Sequence, residues 1–86
     1  MNESPNMPLL RRARDSILDV LDGGVLCGGL AHVQFMPRMG RLSMTCRSLP
    51  TNDQVDRLAS LYKIGVLNML RVPNGWYITW RLMEME

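Results

Sequence analysis

Residues 41–49 read RLSMTCRSL, and two periodicities coexist in them. Leu42, Met44 and Cys46 alternate with Arg41, Ser43, Thr45 and Arg47, which is the period of two that a half-buried strand requires. Leu42, Cys46 and Leu49 also stand at i, i+4 and i+7, which suits one short helix. As a strand, the segment pairs back across PRMG (37–40) onto LAHVQFM (30–36), a β-compatible run that stops at Pro37. As a helix, it leads directly into a second helix. The local sequence supports both, and the fold depends on which one forms.

The segments on either side are less ambiguous. Pro8 stands where a first helical residue would, and Leu10, Ala13, Ile17, Val20 and Leu21 recur at helical spacing, which predicts an amphipathic helix over about 9–22. Gly23-Gly24 ends it, because glycine takes the left-handed conformation that helix termini use. Arginines at its amino end and Asp22 at its carboxyl end oppose the helix dipole, but core burial outweighs those few tenths of a kcal/mol. Residues 1–7 read as a disordered amino terminus, 8–83 as a single domain and 84–86 as an acidic tail.

Past the ambiguous stretch, Thr51 or Asn52 caps a helix over TNDQVDRLASLYK (51–63), with Val55, Leu58, Ala59, Leu61 and Tyr62 as its inner stripe. Asp53 in its first turn and Lys63 in its last suit the dipole, and Gly65 closes it. LRVPNGWYITWRL (70–82) is a hairpin. With Pro73-Asn74-Gly75 as a type I turn plus bulge, Val72 faces Trp76. Val66, Leu70 and Val72 then share a core face with Trp76, Ile78, Trp80 and Leu82, while Arg71, Tyr77, Thr79 and Arg81 line the other.

Composition bounds the class. A chain of 86 residues supports one modest core, and 47% apolar with 21% charged residues is globular rather than disordered. No apolar run reaches the roughly 18 residues of a membrane span, and the start MNESPNMPLLRR has no leader pattern, so a cytoplasmic protein without membrane contact is expected. Cys27 and Cys46 lack metal or redox spacing and read as reduced core thiols, and His32 stands alone. No metal site, no cofactor and no enzyme are expected: there is no acidic pair in an apolar run, no phosphate loop and no nucleophile with a nearby base.

Net charge is only +2, but residues 23–83 hold seven basic and two acidic side chains. Nine of the ten basic residues are arginine, which suits bidentate contact with phosphate or carboxylate.

With 41–48 helical, the order is helix, strand, helix, helix, strand, strand. That order, with the helix NDQVDRLASLY (52–62), the IGVL step (64–67) and the hairpin RVPNGWYITW (71–80), resembles a winged helix-turn-helix domain over most of the chain after Pro8. The resemblance implies a small α+β, DNA-binding transcriptional regulator. Carried onto this chain, it sets Asn52, Gln54 and Arg57 toward the bases of double-stranded DNA. Arg47, Arg71 and Asn74 would hold phosphates, and Arg38 and Arg41 would extend the basic surface. Asp53 and Asp56 on the same helix oppose this by charge.

The alternative fold is helix, hairpin, helix, hairpin, also α+β. The alternative function is a protein-binding adaptor or inhibitor, for which eight methionines supply adaptable surface, Met39 being the one most exposed in prospect. Self-association through Trp76, Trp80 or the first helix is compatible with either.

Overall fold

The computed structural model describes residues 5–21, 33–73 and 75–83. Within them the ambiguous stretch is a strand: the elements are α1 (Met7–Leu21), β1 (Gln34–Met36), β2 (Arg41–Cys46), α2 (Asn52–Tyr62), β3 (Ile64–Val72) and β4 (Gly75–Leu82). This is the alternating helix-hairpin order, not the three-helix order. The reason lies in burial. As a strand, β2 puts Leu42, Met44 and Cys46 at 0% exposure, whereas Leu49, the third position of the helical template, is left exposed.

The four strands form one antiparallel sheet in the order β1-β2-β4-β3. A single 3-10 turn, Pro37–Met39, joins β1 to β2, and Gly40 follows it with φ 64, a conformation glycine takes without strain. The PRMG connection therefore works as expected. α1 starts at Met7, and the Asn6 side chain donates to the Pro37 carbonyl at 2.9 Å. Residues 1–4, the 84–86 tail, Gly23-Gly24, Cys27 and His32 lie outside the described residues.

Both helices cover one face of the sheet. Leu10, Ala13, Ile17, Val20 and Leu21 of α1 meet Leu58 of α2, Ile64 of β3 and the inward residues Leu42, Met44, Cys46, Ile78 and Trp80 in a single core. Each buried Leu, Ile, Val and Met among these carries on the order of 1.5–3 kcal/mol of burial. Trp80 is fully buried and its Nε1 has no hydrogen-bond partner among the described residues. Trp76 is partly buried and packs against that core from the hairpin tip. Trp80 and the apolar face of α1 are both inside.

The β3–β4 hairpin departs from its expected register. Val72 faces Gly75 across the two-residue turn Pro73-Asn74, and Arg71 faces Trp76. A bulge between Val66 and Asn68 then shifts the ladder by one, so that Ile64 and Val66 share the inner face with Leu82 and Trp80. The expected register would have buried Asn68; the bulge turns this amide outward, which avoids an unpaired polar group inside. Leu70 goes outward with it and is exposed, while Arg71 moves to the tryptophan face.

Candidate nucleic-acid interface

The fold sorts charge by element. Residues 33–51 and 63–83, which make up the sheet and its connections, carry Arg38, Arg41, Arg47, Lys63, Arg71 and Arg81 and no acid. The acids among the described residues all sit on helices: Asp15 and Asp19 on α1, Asp53 and Asp56 on α2. In the outward face of the sheet, Ser43 and Thr79 are hydrogen-bonded at 2.9 Å and Tyr77 donates to Gln34 Oε1 at 2.9 Å. Arg41 and Arg81 lie opposite each other on that same face, and no described element covers it.

At the hairpin tip the structure brings two of the expected phosphate ligands together. Cys46, Trp76 and Arg71 form one rung across β2, β4 and β3, and Arg47 follows Cys46. Arg71 stacks on Trp76, its guanidinium carbon 5.3 Å from the ring centroid, within cation–π range. Arg47, Ser48, Leu49, Arg71 and Trp76 line a cleft of about 390 Å3. Its geometry is held by Gly75, whose φ is 155 and at which any Cβ would collide with the Cys46 carbonyl oxygen. The end of β2 is thereby seated against the hairpin tip. Burial pushes the Cys46 thiol up from 9.0 to about 11, so it stays protonated and unreactive beneath the cleft.

The expected recognition helix is placed otherwise. Gln54 does not face a groove: it completes a capping box, accepting from the Thr51 amide at 2.8 Å while its own amide donates to Thr51 Oγ1 at 3.1 Å. Its Nε2 also donates to the Val20 carbonyl in the last turn of α1, at 3.3 Å. Asn52 and Arg57 are exposed on α2, but Asp53 and Asp56 are exposed beside them. Among the described residues no ion pair joins Arg57 to Asp53. Leu61, expected inside, is 67% exposed, and Lys63 rather than Gly65 ends α2, in the left-handed conformation with φ 58. Arg38 is exposed on the 3-10 turn and Arg41 is half-buried in β2, at the opposite end of that strand from Arg47. Asn74 lies outside the described residues.

Sequence reasoning missed Trp76 and Ser48 as cleft residues. The signal for Trp76 was present: it falls nearest the turn, where a short hairpin outruns its core. Among the described residues no group of three or more His, Cys, Asp or Glu could hold a metal ion, and no helix is long and apolar enough to cross a membrane. Compared with known proteins, the chain matches no family model, no curated protein and no solved structure.

Proposed function

We propose that this domain binds nucleic acid, with the acid-free sheet and its connections as the contact surface and α2 as a scaffold. The carrying observation is the segregation of charge by element: among the described residues, the strands and their connections hold six cations and no carboxylate. A polyanion lying along these elements meets cations and, among the described residues, no carboxylate of theirs, and each phosphate neutralised releases counterions. Arginine supplies five of the six cations, and its planar fork suits phosphate oxygens. Duplex reading by the amino end of α2 is disfavoured because Gln54 is spent on capping and Asp53 and Asp56 would face the backbone.

The test is fluorescence anisotropy with labelled dodecanucleotides, single-stranded and duplex, across a salt series. Four engaged cations give a log–log slope of roughly −3 for a single strand. Arg38→Glu with Arg81→Glu weakens binding to all sequences alike, whereas Asp56→Asn leaves it unchanged or slightly tighter. Absence of affinity for every oligonucleotide at low salt defeats the proposal.

A second reading, a protein-binding adaptor or inhibitor, is favoured by one observation. Leu61, Leu9, Ala13 and Leu82 line a groove of about 310 Å3 between α1 and the end of α2, flanked by Arg12 and Lys63.

A further inference from the structure

We propose that the hairpin-tip cleft is a nucleotide pocket, in which one base of a single strand stacks on the Arg71–Trp76 pair and its flanking phosphate is held by Arg47 and Ser48. This rests on the nucleic-acid reading and names the unit that is recognised.

Three features of the cleft carry it. First, part of the aromatic surface is available: Ile78 and Trp80 of β4 are fully buried, whereas Trp76 is only partly buried and lines the cleft. Second, the walls divide by chemistry. Leu49, Pro73 and Trp76 offer apolar surface to a base, and two guanidiniums and a hydroxyl offer donors to a phosphate. Bases stack on aromatic rings and on arginine planes alike, so the cation–π pair is a platform that exists before the ligand arrives. Third, the site is built rather than incidental. The close approach of Gly75 to the Cys46 carbonyl fixes the spacing between Arg47 on one wall and Arg71 on the other. A volume of about 390 Å3 falls in the range of small-ligand pockets, and no described residue of its lining is acidic.

Stacking also decides which nucleic acid fits. A base in a duplex has both faces covered by neighbours and cannot reach an indole, so the pocket takes an unpaired nucleotide. The cleft therefore predicts preference for single strands where the basic sheet alone predicts none.

The two tryptophans make the test direct, because Trp80 is at 0% exposure and Trp76 is only partly buried, so iodide quenching is expected to report on Trp76. A single-stranded hexanucleotide added to the whole chain is expected to abolish iodide quenching of Trp76. Trp76→Leu lowers affinity for the strand by roughly 5- to 100-fold with the salt slope unchanged, the size of one lost base–aromatic stack. Arg47→Ala instead reduces the magnitude of the slope by about 0.7. An abasic strand of the same length, tested on the unaltered protein, binds as weakly as the normal strand binds Trp76→Leu. If the protein binds strands but the abasic one binds equally well, the pocket is overturned while the basic surface stands. Equal protection of Trp76 by a hexaglutamate peptide shows recognition of charge only and also overturns it. Absence of binding to any strand defeats both proposals together.

Discussion

Replacing Gln54 by alanine separates the two roles that this side chain was open to. Three hydrogen bonds converge on the residue, and two of them depend on its side chain: the Thr51 amide to Oε1 at 2.8 Å and Nε2 to the Val20 carbonyl at 3.3 Å. The Thr51 amide is exposed and water replaces its partner, so its loss costs about 0.5 kcal/mol. The Val20 carbonyl is one of the orphan acceptors at the end of α1 and lies in a partly buried setting, where a lost bond costs about 0.5–1.5 kcal/mol. The sum is on the order of 1–2 kcal/mol, or roughly 5–15 °C in melting temperature for a domain of this size. Gln54→Glu is the informative partner variant. It keeps the acceptor and gains from the helix dipole, but sets a carboxylate against the Val20 carbonyl, so it recovers only part of the loss. Urea denaturation measures both, and anisotropy on a panel of oligonucleotides run alongside shows no change in base preference. An alanine variant of full stability with altered preference among sequences refutes the structural role and restores Gln54 to a recognition surface.

Two further outcomes follow from the tip and the core. Gly75→Ala forces a Cβ into the Cys46 carbonyl at a backbone angle that side chains rarely adopt; it costs about 1–3 kcal/mol in urea denaturation and reduces strand binding more than Pro73→Ala does. Cys46 resists iodoacetamide in the native state and reacts on unfolding. Its thiol is raised from 9.0 to about 11 by burial, so an unfolded chain loses this proton first, and stability falls as pH climbs through that window. Cys46→Ala removes that part of the slope; an unchanged slope contradicts the assignment.

How much of this was legible depends on where the deciding physics lay. α2 was readable from local chemistry, since Thr51 and Gln54 hold the spacing of a capping box and Leu58 the centre of an apolar stripe. Its inner face was overestimated at Leu61, which stands exposed on the rim of the groove between α1 and the end of α2. The state of 41–46 was not readable, because a strand with neighbours on both sides takes its stability from residues far away: Leu42 faces Trp80, and Met44 faces Ile78. The hairpin register was misjudged for a related reason. The alternation pattern fits one unbroken ladder, whereas the chain inserts a bulge to keep Asn68 out of the core. Of the candidate site, the sequence marks Arg47 and Arg71 as cations but not as neighbours, and their partner Trp76 reads mainly as core.

The position of β4 between β2 and β3 has a consequence for assembly. The strand that joins the two hairpin halves follows both of them along the polypeptide. During synthesis each earlier strand must wait with an open flank until residues 75–82 leave the ribosome, and only then does the interior close, through contacts distant in sequence. A ribosome stalled before Gly75 holds a chain in which β2 and β3 each lack the neighbour that β4 supplies, two open sheet margins that invite chaperones.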